Sequence, residues 1–145
     1  ISNRRHGKLE NQPGHLIDLM ATCVDIGGAK YPATVGDKKI VPMQGTSLAP
    51  AFNGKNIART APIFWEHEGN RAMRDGQWKL VAKGARGPWE LYDIAADRTE
   101  LHNLAAKQPN RLQTMASAWE AWAVKALAKP WPYAKKKKPK SKPKK

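Results

Sequence analysis

Cysteine is nearly absent from this chain: Cys23 is the only one among 145 residues. An internal disulfide and a zinc site built from several thiolates are therefore excluded. No apolar run is long enough to span a bilayer as a helix. Nor does a hydrophobic stretch follow Ile1, where the chain reads ISNRRHGKLENQPG, so no signal peptide is recognisable and the opening reads as the middle of a longer polypeptide. No glycine-rich phosphate loop follows a candidate strand, and no Gly-x-Ser-x-Gly elbow surrounds Ser47 or Ser117. Acidic residues are scarce as well: 12 Asp and Glu face 26 Lys and Arg, a formal charge of +14.

That excess is unevenly placed. Residues 134–145 read AKKKKPKSKPKK and hold eight lysines, which leaves +6 on residues 1–133. A stretch without acid or large apolar side chains cannot offset its ordering entropy by burial, so a disordered lysine-rich tail is expected. It would attract any polyanion without selecting among them. A solubilising appendage is the plainer reading of such a tail than a dedicated nucleic-acid arm.

The remainder is organised in blocks. Leu16, Leu19, Met20 and Cys23 fall at i, i+3, i+4 and i+7, Ile17 and Val24 widen the stripe, and Gly27-Gly28 supply a stop. The spacing predicts a helix over about 14–26 with an apolar face. Residues 29–61 have no sustained period and many prolines and glycines, which predicts a long connecting loop. From Pro62, the runs PIFWE, RAMRD, QWKLVAK and WELYDI mix β-formers with polar residues between turns at Asp75-Gly76 and Gly84–Pro88. Three or four antiparallel strands follow from this. The segment 96–109 reads as a turn with a short helical piece. A last helix is expected over about 109–128, where Leu112, Met115, Ala116, Trp119, Trp122, Ala123 and Ala126 keep a 3.6-residue period between Pro109 and Pro130. The fold class is thus α+β: a small antiparallel sheet packed by a C-terminal helix, with an N-terminal helix lacking a partner surface.

No self-contained catalytic site is legible. Cys23 sits within an apolar helical stripe, where thiols are usually inert. Glu66, His67 and Glu68 suggest a metal cluster by composition, but strand alternation sends the two carboxylates to one face and His67 to the other with Ile63 and Trp65. His67 reads equally as a pocket-lining group or a packing histidine. His6, His15 and His102 have no ligand-like spacing, so no metal site is expected within the chain.

The run GNRAMRDGQWKLV followed by WELYDIAADRTELHNLA resembles a C-terminal signature of type I sulfatases. There an Ala-x-Arg-x-Gly-x-x-Lys strand pair precedes Glu-Leu-Tyr-Asp and then Asp-x-x-Glu-x-x-Asn-Leu. The matching residues are Ala72, Arg74, Gly76 and Lys79, then Glu90 to Asp93, then Asp97, Glu100, Asn103 and Leu104. The longer form with Phe64-Trp65-Glu66-His67-Glu68-Gly69-Asn70 is similar to an arylsulfatase-type bacterial subgroup. HLIDLMATCVDIGG and Gly45-Thr46-Ser47-Leu48 also fit the family, so the resemblance covers about residues 12–133.

The resemblance implies an alkaline-phosphatase-like enzyme whose α/β catalytic domain hydrolyses sulfate esters with formylglycine and calcium. Residues 1–28 would end that domain, 29–61 connect, and 62–133 form the C-terminal subdomain. Cys23 is followed by Val24 and Asp25 rather than the Cys/Ser-x-Pro/Ala-x-Arg modification motif, and the calcium ligands have no counterpart. The catalytic residues, calcium and formylglycine are therefore expected in a missing N-terminal part, with this chain inactive alone. His67, Glu68 and Asn70 are the candidate substrate contacts, and Trp65, Trp78 and Trp89 the expected seal between domains. Arg74, Lys79 and Asp93 are expected to pair across strands or cap loops. Relatives suggest a periplasmic or secreted location. The competing readings are a polyanion-binding module using the tail and a degenerate remnant.

Overall fold

The structure is a computed structural model that describes residue 7 and residues 9–128. His6, Pro130 and the lysine-rich stretch 134–145 lie outside the described residues. The chain divides into two compact units between Ala61 and Pro62.

In the first unit, α1 spans Asp18–Ile26, one turn shorter than the sequence pattern predicts. The Asp18 carboxylate accepts the His15 backbone N–H at 2.7 Å, and this holds residues 15–17 as a turn ahead of the helix. The expected stop is present: Ala29 N donates to Val24 O and Gly28 N to Asp25 O, a Schellman arrangement with Gly28 at φ 60°. Residues 29–61 are not one structureless loop. A hairpin pairs β1 (Thr34–Val35) with β2 (Lys38–Lys39), and α2 forms a single turn at Ala49–Phe52. Two-residue strands carry no readable period, which is why the sequence pattern misses them.

As expected of a helix lacking a partner surface, α1 leaves its apolar stripe largely exposed, and another side of the helix is the buried one. Asp18, Ala21 and Thr22 are buried, whereas Leu16, Leu19 and Met20 are 77%, 55% and 58% exposed. Polar chemistry explains this. Thr22 Oγ1 donates to Asp18 O and accepts Leu48 N–H, while Asp18 accepts Thr46 N–H, so the segment 45–48 is pinned to that side. The approach is close enough that a Cβ on Gly45 would lie 2.4 Å from Ile17 O, and Gly45 has φ 94°. Leu16, Leu19 and Met20 left in water form a patch that favours association. In sedimentation velocity the chain is expected to associate as concentration rises, and Leu19→Lys/Met20→Lys to remain monomeric. A wild-type chain that stays monomeric throughout would contradict this.

The second unit is a four-stranded antiparallel sheet ordered β3 (Ile63–His67), β4 (Asn70–Asp75), β5 (Trp78–Ala82), β6 (Glu90–Asp93), followed by α3 (Pro109–Lys125). The register aligns Phe64, Met73, Leu80 and Leu91 in one row on one face. That row meets Met115, Ala116, Trp119 and Ala123 of α3, and Phe64 stacks on Trp122 at 5.1 Å. The periodic face of α3 is thus the core face. Trp78 and Trp89 pack against this same core. Residues 95–108 form turns without a helical piece. The helix stops with Leu127 at φ 55° and Ala128 N bonded to Ala123 O.

Candidate functional site

Alternation places Trp65 and His67 of β3, Asn70, Ala72 and Arg74 of β4, Lys79 and Val81 of β5, and Glu90 and Tyr92 of β6 on the face away from α3. Two adjoining shallow depressions of about 500 Å³ each lie on this face, and both are lined by Trp65, Ala72 and Glu100. The small side chain of Ala72 beside the indole of Trp65 leaves the hollow.

The residues nominated from sequence divide here. His67 and Asn70 are partners across the β3–β4 hairpin and line one depression. Glu68 does not join them. It is not a strand residue but the first of a two-residue turn, with φ 51° beside Gly69 at φ 87°. Asn70 also has a structural duty, since its Oδ1 accepts Gly84 N–H at 2.9 Å.

The next strand residue, Arg71, points to the core side. Its guanidinium lies 4.2 Å from the Trp89 ring centroid and donates to Gly87 O at 2.7 Å. Burial draws its pKa down from the ordinary value. Together Asn70 and Arg71 hold the 83–89 loop against β4. The loop is tight, because a Cβ on Gly87 would meet Lys83 O at 2.0 Å. Lys83 lies at the rim of the depression.

The signature residues after β4 serve as fasteners. Lys79 pairs with Glu100. Tyr92 donates to Glu90 at 2.6 Å, and this bond, with burial and the nearby carboxylates, pushes the phenol pKa up to about 12. Asp93 accepts Ala95 N–H and the Gln77 amide, closing the turn after β6. Asp97 accepts His102 N–H, which, against the opposing effect of desolvation, leaves its carboxyl below the usual range. Asn103 Oδ1 accepts Leu91 N–H, and Leu104 N donates to Leu91 O, so the β6 edge is covered. Arg74 Nε donates to Gly76 O.

Sequence reasoning missed Trp65 as a site residue, and Lys83 and Arg98 altogether. Strand alternation was sufficient to find Trp65. The other two lie in loops, where no period marks a face.

No nucleophile–base pair is assembled by these contacts. Among the described residues no three His, Cys, Asp or Glu side chains come together as a metal site, and Cys23 is exposed on α1. Ser47 donates to Asp25 at 2.5 Å and accepts Ala49 N–H, a turn-closing role. No described helix is long and apolar enough to cross a membrane. The class defined by the fold is therefore an α+β sheet-and-helix unit with two shallow depressions on the open face of its sheet.

Comparison with known proteins places this class more narrowly. No family model matches the chain. A choline-sulfatase of Rhizobium meliloti is 33% identical over 100 residues, covering 64% of this chain and 18% of that protein. An uncharacterized sulfatase of Schizosaccharomyces pombe is 27% identical over 110 residues, covering 72% and 20%. Among solved structures, Ps i-CgsB is 29% identical with a TM-score of 0.63, covering 81% of this chain and 26% of that one, and it is also known in complex with k-i-k-neocarrahexaose. The chain spans about a fifth of the length of the curated relatives it matches. The chain is thus similar to a part of several sulfatases.

Proposed function

We propose that this chain is the C-terminal part of an enzyme that hydrolyses sulfate esters, and that it shapes the substrate site without supplying the bond-breaking groups. The carrying observation is the division of labour on the second unit. Lys79, Glu90, Asp93, Asp97, Glu100 and Asn103 are all engaged in fastening strands and loops, while His67 and Lys83 remain at an accessible hollow. Such a unit contributes walls and charge to a site whose reacting centre lies elsewhere.

In the whole enzyme the resemblance calls for a formylglycine nucleophile and a calcium ion to meet the charge on the transferring sulfate. Preorganised cations of this kind lower the barrier because they need no reorganisation at the moment of reaction. The described residues do not fit either group. Cys23 lacks the modification motif, and the carboxylates form no metal cluster. Both groups therefore belong, in this proposal, to the catalytic α/β domain, which is the partner of this chain. The substrate class is a sulfate ester, with His67, Asn70 and, at the hairpin tip, Glu68 facing its organic part. The oligosaccharide held by Ps i-CgsB favours a carbohydrate ester.

Sulfate release measured by ion chromatography tests the proposal. The product of the complete reading frame that contains Ile1 is expected to release sulfate from a panel of aryl and carbohydrate sulfates, and chelation of calcium is expected to abolish it. The 145-residue chain alone is expected to match a denatured control. Turnover by the chain alone, or none by the whole product on any ester, would overturn the reading.

A further inference from the structure

Arg71 is a charge placed where hydrocarbon would serve the core better. Its side chain is 9% exposed and lies on the α3 side of the sheet, 4.2 Å from the Trp89 ring centroid and 5.6 Å from that of Trp119. Among the described residues its Nε has no hydrogen-bond partner, and the carboxylate it faces, Glu120 of α3, stands 3.8 Å away. Desolvating a guanidinium so incompletely matched is unfavourable, and an apolar side chain of similar length would fill the same space without that cost. What hydrocarbon cannot supply is the 2.7 Å bond to Gly87 O. That bond ties the later half of the loop between β5 and β6 to β4. Asn70, the neighbouring residue, ties the start of the same loop through Gly84 N–H. Glu66 Oε1 accepts Gly69 N–H and braces the β3–β4 turn. The two loops at this end of the sheet are thus tied to one another.

We propose that Arg71 is a positioning residue: from behind the sheet it sets the 84–88 loop against the β3–β4 turn, and with it the shape of the depression bordered by His67, Asn70 and Lys83. Its part in the reaction rests on the reading of His67 and Asn70 as contacts to the organic part of a sulfate ester; the coupling of the two loops rests on the contacts alone. Arg71 touches no reacting atom. Its effect therefore belongs to substrate binding and not to bond breaking. Gly87 offers an independent handle on the same loop. A Cβ there would lie 2.0 Å from Lys83 O, so Gly87→Ala displaces the loop with Arg71 intact.

Arg71→Met, Gly87→Ala and the double variant test this in the product of the complete reading frame, with amide exchange also measured in the 145-residue chain. Arg71→Met is expected to raise KM for the fastest ester of the panel by about tenfold, the weight of one hydrogen bond to a charged group, with kcat little changed. Its denaturation midpoint is expected to stay at or above that of wild type while exchange quickens over residues 84–87. Gly87→Ala is expected to raise KM likewise. The double variant is expected to raise it no further than the larger single effect, because both act through one loop. Additive effects, an unchanged KM or a fall in kcat would overturn the proposal. If Arg71→Met does not fold, Gly87→Ala decides alone, and a KM equal to wild type overturns the role. A whole product that releases no sulfate from any ester counts against the enzyme reading instead. Faster exchange over 84–87 in a folded Arg71→Met chain then still supports the coupling, and unchanged exchange overturns it.

Discussion

Trp119→Ala is expected to destabilise the sheet-and-helix unit by about 3–5 kcal/mol, the range for truncating a buried large aromatic side chain. Trp119 is 1% exposed and lies at the centre of the core with Met73, Leu80 and Leu91. It meets Trp89 edge-on at 5.6 Å and Trp122 at 5.9 Å, and its Nε1–H donates to Trp65 O at 3.0 Å. Truncation removes all of these and opens a cavity that four strands in register cannot close. Domains hold only about 0.05–0.15 kcal/mol per residue, so a loss of this size consumes most of the stability of a unit this short. Denaturant titration followed by near-ultraviolet circular dichroism measures it. Trp119→Phe keeps an aromatic body without the N–H donor and is expected to lose less. A loss below about 1 kcal/mol for Trp119→Ala would show that the core does not turn on this residue.

The second unit was the legible part of the fold. The α+β class, the four strand runs and the amphipathic period of α3 are each set by side chains that must share a face, and burial enforces that period. The first unit was less legible because it is held by hydrogen bonds instead. The Leu16–Val24 stripe is a valid helix signal, yet the side that packs within the unit is the Asp18–Ala21–Thr22 side, chosen by where Thr46 and Leu48 present backbone N–H groups. Hydropathy gives no hint of that choice. The hairpin at residues 34–39 is likewise defined by backbone bonds alone.

The candidate site followed the same division. Alternation along β3 correctly put His67 on the face with Ile63 and Trp65, away from Phe64. It failed one residue later, because Glu68 occupies a left-handed turn position that Asn, Asp or Gly usually signal and Glu does not. The signature residues were readable as a resemblance before they were readable as physics. Only the contacts reveal that Asp93, Asp97 and Asn103 are loop fasteners.

The first unit's stability is expected to depend on one carboxylate. Asp18 is 0% exposed and accepts backbone N–H bonds from His15 and Thr46 together with the Arg59 guanidinium. Arg59 is itself mostly buried, and among the described residues its Nε has no hydrogen-bond partner. Asp18→Ala would leave this guanidinium and two backbone N–H groups without their acceptor. Removing one partner of a buried ion pair costs about 3–5 kcal/mol, chiefly because the other charge stays desolvated. The expected result is fast amide exchange over α1 and residues 45–48, with protection across β4–β6 unchanged, since every partner of Asp18 lies within residues 15–59. The acid response follows from the same contacts. Burial by itself would raise the Asp18 pKa, but the bonds from Thr46, Arg59 and His15 outweigh it and hold the carboxyl below its ordinary value. A depressed pKa in the folded state means that the stabilisation is fully present above the unfolded value of about 4 and is lost as pH falls through the folded one. Wild-type α1 is therefore expected to lose exchange protection on acidification below about pH 4. Asp18→Asn, with no proton to bind, should begin less stable and lack that acid-driven loss. If Asp18→Ala leaves α1 protected, or if Asp18→Asn shows the wild-type acid response, the carboxylate is not what fastens the helix to the 45–48 segment.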